Sequence, residues 1–368
     1  MTVHNSIKYI DEYRDATLAR ALLARIEALA GRIRQSFTFM EICGSHTHAL
    51  SRFGIRRLLP DNIRLISGPG CPVCVTSVQD VDTALYLAGQ KDIIFATFGD
   101  MLRVPGTQSA SLQKLRASGA DIRVIASPLD VIPLAQSHTD REVIFMAIGF
   151  ETTAPAVAAA IVSAAKKGVK NLRVFSVHKT VPRAIEALLN DQELQVDGFI
   201  CPGHVSTIIG ADAYHGITSA NRAAVITGFE PVDILEGILM MLEQCLGKAY
   251  TVEIEYGRGV KREGNLRARQ VMMDVFEEAD GYWRGLGIIP GSGLALRETY
   301  KDFDVHRHFR IPVFDSTEPK GCACGDILRG IRTPENCPLF RRVCTPVNPI
   351  GPCMVSSEGT CAAYFKYH

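Results

Sequence analysis

A chain of 368 residues in which short apolar runs alternate with helical segments predicts an α/β fold built on mostly parallel sheets. Two further observations shape that prediction. A repeat at an offset of 50 matches Asp92-Ile93-Ile94-Phe95 to Glu142-Val143-Ile144-Phe145, Gly99 to Gly149, and Ile122-Arg123-Val124-Ile125 to Leu172-Arg173-Val174-Phe175. Six of the eleven cysteines lie at or after Cys322, in Gly- and Pro-rich sequence of little periodicity. The repeat predicts two similar Rossmann-like α/β domains, at 36–137 and 138–247. A third, cysteine-rich domain is expected from 248–368, completed by the N-terminal helix within 1–35.

The elements follow in order. Ile10, Leu18, Leu22, Leu23, Ile26, Leu29 and Ile33 recur at spacings of three and four with charges between, the pattern of an amphipathic helix over 7–35. Apolar runs predict strands at Phe37–Ile42, Ile63–Ile66, Ile93–Thr97, Ile122–Ala126, Val143–Ile148, Leu172–Val177, Gly198–Cys201 and Ala224–Thr227, with a further candidate at Val252–Tyr256. Asn265–Glu278 has helical periodicity. In such sheets ligands sit at the carboxyl ends of the strands.

Composition narrows the function. With 40 Lys+Arg against 39 Asp+Glu the net charge is +1, without the basic excess of a phosphate-tracking nucleic-acid binder. Met1 to Asp15 lacks the basic flank and apolar core of a signal peptide. The longest weakly polar stretch, Ala154–Ala165, falls short of the roughly 18–20 residues of a membrane span. The expectation is a soluble, cytoplasmic protein with no membrane or nucleic-acid partner. In a reducing compartment, clustered cysteines serve as metal ligands or redox centres more often than as staples.

Three cysteine sets carry chemistry. Cys322, Cys324, Cys337, Cys344, Cys353 and Cys361 are spaced irregularly, with prolines holding the loops open. A [4Fe–4S] cluster takes four thiolates. Zinc is the rival, although Cys322-Ala323-Cys324 is tight for its usual paired ligands; free or disulfide-bonded cysteines are the third reading. Gly68-Pro69-Gly70-Cys71-Pro72-Val73-Cys74 precedes the helix-like Val78–Leu87 and reads as a redox dithiol, because a helix start stabilises the first thiolate. Half of a zinc site or two inert thiols are the alternatives. Cys43-Gly44-Ser45-His46-Thr47-His48 follows the first strand, and its thiolate and imidazoles suit a soft divalent metal such as Fe²⁺. Other strand-end loops place Asp100, Arg103, Glu151, His204 and Glu230 where they could face one cleft. His178, Cys201 and Cys245 read as structural.

With these segments in view, the sequence resembles the HypD family of [NiFe]-hydrogenase maturation factors over essentially its whole length. The resemblance rests on Glu41–His48, Gly68–Cys74, Phe98–Gly106, Gly149–Pro155, Pro202–Ser206, Gly228–Pro231, Trp283–Gly287 and Met354–Ala363. It implies a scaffold on which the hydrogenase iron, Fe(II), acquires cyanide and carbon monoxide ligands. The implied partners are a HypC-type chaperone, whose N-terminal cysteine helps to hold the iron, and HypE with HypF, which deliver cyanide. It also implies one [4Fe–4S] cluster. Carried over by residue, Cys43 becomes the iron ligand with His46 and His48 beside it, and Cys71 and Cys74 the redox dithiol. Cys324, Cys337, Cys344 and Cys361 become the cluster ligands, with Cys322 and Cys353 surplus. Asp100, Arg103, Glu151 and His204 would position or protonate the cyanide donor. The rival function is a free-standing iron–sulfur thiol-disulfide oxidoreductase needing no partner. A zinc hydrolase on His46 and His48 is disfavoured because Glu41 is the only acid in that motif, and no G-x-x-x-x-G-K-[ST] phosphate loop is present.

Overall fold

The computed structural model describes residues 7–32 and 34–368; residues 1–6 and Ile33, the last position of the N-terminal helical pattern, lie outside them. Among the described residues nine strands form two parallel sheets, as the apolar runs predict. They are β1 (Phe37–Glu41), β2 (Ile63–Ser67), β3 (Ile93–Thr97), β4 (Ile122–Val124), β5 (Glu142–Ala147), β6 (Leu172–Ser176), β7 (Gly198–Pro202), β8 (Ala223–Thr227) and β9 (Val252–Ile254). One sheet has the order β2-β1-β7-β8-β9 and the other β4-β3-β5-β6. A two-stranded antiparallel ribbon, β10 (Phe276–Trp283) and β11 (Gly287–Leu296), follows.

The sheets cross the expected boundary at 137/138, which is corrected accordingly. β1 and β2 pair with β7 and β8, while β3 and β4 pair with β5 and β6. The physical reason is burial. Every residue of β3 is buried, as are all but the first of β5, so these two apolar strands need neighbours on both sides. They lie side by side in register Ile93↔Glu142 to Ala96↔Phe145, with β4 and β6 at the edges. The offset-50 repeat therefore relates β3 to β5 and β4 to β6 inside one sheet, not one domain to another. The chain leaves the first sheet after β2 through the Val78–Ala88 helix and returns at β7, which joins β1 in register Phe39↔Gly198 to Glu41↔Ile200.

Two further expectations change. The N-terminal helix, Ala16–Ala30, starts where the Asp15 side chain accepts from the amides of Thr17 (2.7 Å) and Leu18 (2.9 Å). It buries Leu22, Ile26 and Ala30 against Leu235, Ile238 and Leu239 of the Pro231–Gly247 helix, so it completes the first sheet and not the cysteine-rich region. The helix expected to reach Glu278 ends at Val275, because Phe276 turns inward as the first residue of β10 and joins Leu294 and Leu296 in the core under the second sheet. The cysteine-rich tail is mostly turns, with short helices at Cys324–Leu328 and Thr360–Tyr367. Among the described residues no helix is long and apolar enough to cross a membrane.

Candidate metal and thiol site

β1 and β2 are adjacent parallel strands, paired from Phe37↔Ile63 to Glu41↔Ser67, so the loops at their carboxyl ends lie side by side. Each loop presents a cysteine at the start of a helix. Cys43 caps Gly44–Arg52 in extended backbone, and Cys71 caps the one-turn Pro72–Val75. The loops touch: the Gly44 amide donates to the Gly70 carbonyl at 2.8 Å, and a Cβ on Gly70 would run into the backbone of Cys43. Cys71 Sγ accepts from the Cys74 amide at 3.2 Å, and Cys71 and Cys74 form a disulfide with 5.2 Å between their Cα atoms. The C-x-x-C pair thus has the helix-start setting and the reach of a redox pair.

Cys43 is buried and free. Burial first, and the Glu358 carboxylate second, push its thiol up to about 12, while the amides of His46 and Ser45 at the helix start pull the other way. Beneath it Glu41 is fully buried. Thr47 Oγ1 donates to it at 2.6 Å, and Arg56 reaches it at 3.3 Å and Ser67 Oγ at 2.9 Å. Burial outweighs these contacts and raises its carboxyl to about 7.

The two histidines of the motif part ways. His46 Nε2 lies 2.9 Å from both the Gly228 carbonyl and Thr227 Oγ1, whereas its Nδ1 is buried without a hydrogen-bond partner, and burial lowers the ring to about 4. The His46 ring stacks on Phe229 at 4.7 Å, and Phe229 stacks on His204 at 4.0 Å. His48 turns to the carboxyl-terminal region, 3.3 Å from the Ser357 carbonyl and 3.2 Å from the Tyr367 hydroxyl. Among the described residues no three His, Cys, Asp or Glu side chains are drawn together for a metal ion.

The six carboxyl-terminal cysteines line one small enclosed cavity with Ile327, Phe340 and Met354. Cys324 and Cys353 Sγ are 2.8 Å apart, and the Ile350 amide donates to Cys344 Sγ at 3.4 Å. A hydrogen bond with Cys324, then burial, raises the Cys322 thiol; burial, then the neighbouring sulfurs, raises that of Cys361. Cys322 and Cys353, surplus by the family pattern, stand in the same cavity as the other four. The segment from Pro352 to Cys361 reaches both other sets. Ser45 Oγ donates to Glu358 Oε1 at 2.8 Å, a Cβ on Gly44 would run into Glu358, and Cys74 Sγ lies 4.0 Å from the Pro352 carbonyl, one residue before Cys353.

The remaining candidates do not share one cleft. Arg103 donates to the carbonyls of Pro346 (2.9 Å) and Val355 (3.1 Å), fastening the carboxyl-terminal loop. Asp100 is exposed at the end of β3, and Glu230 pairs with Arg14 at 2.5 Å. Burial lowers His204, with Glu358 acting in the opposite sense. Glu151 is buried elsewhere, against the Val181 amide at 3.0 Å, in a cavity that contains none of the cysteine loops. Cys201, Cys245 and His178 are buried within the core elements. Sequence reasoning missed Glu358, Phe229 and the Glu41–Arg56 contact. The Ser-Ser-Glu-Gly run between two cysteines was the available signal for the first.

A family model described as HypD, Hydrogenase formation hypA family, matches residues 17–368. The chain belongs to the HypD family. It is 47% identical to the hydrogenase maturation factor HypD of Azotobacter vinelandii over 98% of this chain and 97% of that one. It is 45% identical to the HypD of Cupriavidus necator (98% and 97%) and 44% identical to that of Rhodobacter capsulatus (98% and 98%). In HypD terms, the loop contacts described here join the motifs that carried the resemblance: the Cys43 helix, the C-x-x-C loop and the Met354–Ala363 segment.

Proposed function

We propose that this HypD-family chain is the scaffold of hydrogenase maturation on which iron acquires its cyanide and carbon monoxide ligands, held between Cys43 and a cysteine of a HypC-type chaperone, with HypE and HypF delivering cyanide. The observation that carries this reading is Cys43 itself: a buried free thiol at a helix start, packed against the C-x-x-C loop. Its thiol is raised to about 12, so near neutral pH it is a poor ligand until a cation displaces its proton. Fe²⁺ supplies that cation, and thiolate is a soft donor suited to it. His46 and His204 frame the site through Phe229, and His46 Nδ1 is an available lone pair when Nε2 donates to Gly228. Reduced Cys71 and Cys74 give up two electrons and two protons on closing their disulfide, which is the redox capacity assigned to this loop.

The carboxyl-terminal cavity fits a [4Fe–4S] cluster by its donor set, since six thiols surround one enclosed space and four are required. Cys324, Cys337, Cys344 and Cys361 would hold it. When bound, the group supplies one-electron redox chemistry. Cys353 begins the segment whose Glu358 meets Ser45, so this chain's own contacts tie the thiol cavity to the Cys43 helix. The test is anaerobic purification of wild type and Cys43→Ala with the chaperone, with iron and sulfide counting and infrared spectroscopy. Wild type is expected to carry iron beyond four per chain, with cyanide and carbonyl bands. Cys43→Ala is expected to lose both, and retained bands would sink the ligand role.

A further inference from the structure

A cavity of about 520 Å³ opens among the Val181–Leu189 helix, the Leu266–Val275 helix and the β10–β11 ribbon. None of the cysteine loops lines it, so it is separate from the thiol sites. Its wall holds Glu151, only 2% exposed, and Thr180. Glu151 Oε1 accepts from the Val181 amide, but Glu151 Oε2 and Thr180 Oγ1 are buried without any hydrogen-bond partner. Buried polar atoms are nearly always paired, so two orphans on one cavity wall call for a partner from outside the chain. Among the described residues no side-chain cation stands against the carboxyl; burial dominates its surroundings and raises it to about 7.

The rest of the lining is mixed: Glu186, Glu277 and Glu278 add acidic groups beside apolar and basic ones. Ile209, Met272, Phe276 and Leu294 supply apolar surface. Arg269 and Arg297 supply positive charge. Arg297 is pinned by its Nε, which donates to the carbonyls of Met273 (2.6 Å) and Phe276 (3.0 Å), and its terminal nitrogens form no hydrogen bond among the described residues. Arg269 uses one nitrogen on the Glu263 carbonyl at 2.9 Å. Arg183, by contrast, is committed to Glu186 and Glu278.

We propose that this cavity binds a small organic zwitterion. Its ammonium or amidinium head meets Glu151 and Thr180, its apolar body lies against Met272 and Phe276, and its carboxylate or phosphate end meets Arg297 and Arg269. An acid and guanidiniums lining one cavity with apolar surface select a molecule that carries both charges, because each end left unpaired would forfeit a charge-assisted hydrogen bond.

Ligand-observed NMR on the full chain tests this with 4-(aminomethyl)benzoate as the two-ended probe and benzylamine and benzoate as its halves. The two-ended probe is expected to bind about tenfold or more tightly than either half. Glu151→Gln removes the advantage of the amino end while benzoate still binds, which shows that the cavity is intact. Arg297→Ala removes the advantage of the carboxylate end, and Met272→Trp, which fills the space, abolishes binding. Equal affinities for probe and halves, no binding at all, or affinity unchanged by Glu151→Gln overturns the proposal.

Discussion

The loops after β1 and β2 occupy equivalent places, at the carboxyl ends of adjacent parallel strands, and both put a cysteine at a helix start. Their chemistry is nevertheless opposite. Cys71 has its helix-start amide contact and a sulfur partner three residues on. Cys43 has no sulfur partner, sits near the carboxylates of Glu358 and Glu41, and holds its proton up to about 12. The difference begins at the last strand pair, where buried Glu41 on β1 faces Ser67 on β2 and Arg56 bridges the two. A helix start does not by itself make a reactive thiolate: desolvation and nearby negative charge overrule it. Cys71 is paired with sulfur, whereas Cys43 is a free thiol, the group proposed above as the iron ligand.

The sharpest way to break the comparison is to part the loops. Gly70→Val forces a side chain into the Cys43 backbone, so a loss of about 3 kcal/mol or more in urea unfolding is expected, together with loss of the iron proposed at Cys43. Next comes Glu41→Gln. Between pH 4.5 and 7 the folded chain keeps a proton on Glu41 that the unfolded chain releases. Raising the pH across that window therefore costs the wild type up to about 1.4 kcal/mol per pH unit from this group, a cost the variant lacks. The slopes of stability against pH in the two proteins measure it, and identical slopes would contradict the buried acid. Glu358→Gln removes the larger of the two charges that raise Cys43, so iodoacetamide should alkylate Cys43 about threefold faster at pH 8, with Cys71 and Cys74 unaffected. A slower rate would mean that Glu358 acts by access and not by charge. The smallest effect belongs to His48→Ala. His48 is half-buried and its contacts are peripheral, so stability should change by less than about 1 kcal/mol, against about 2–4 kcal/mol for buried His46→Ala.

Much of this was legible in the chain because it is local. Strands β1 to β8 are short, largely apolar runs, and the two residues between Cys71 and Cys74 let a helical turn bring them within disulfide reach. The clustering of cysteines after Cys322 likewise announced a thiol-lined site. The repeat was real in sequence but misread in space. Its two halves have the same apolar strands whether they form two sheets or sit side by side in one, and strand composition does not reveal pairing partners. The N-terminal helix shows the same ambiguity: an amphipathic stripe states that a face is buried, not against what.

The sequence by itself determined the α/β class, the strands and the three cysteine sets, because periodicity, turn residues and short spacing act within a few residues. Only the tertiary structure decided which strands share a sheet, that Gly70 rests on Cys43, that Glu358 reaches Ser45 from 313 residues away, and that Glu151 lines a cavity of its own. Those contacts arise from packing between distant segments, where burial sets the charge state of Glu41, Cys43 and Glu151, and no local pattern encodes burial of that kind.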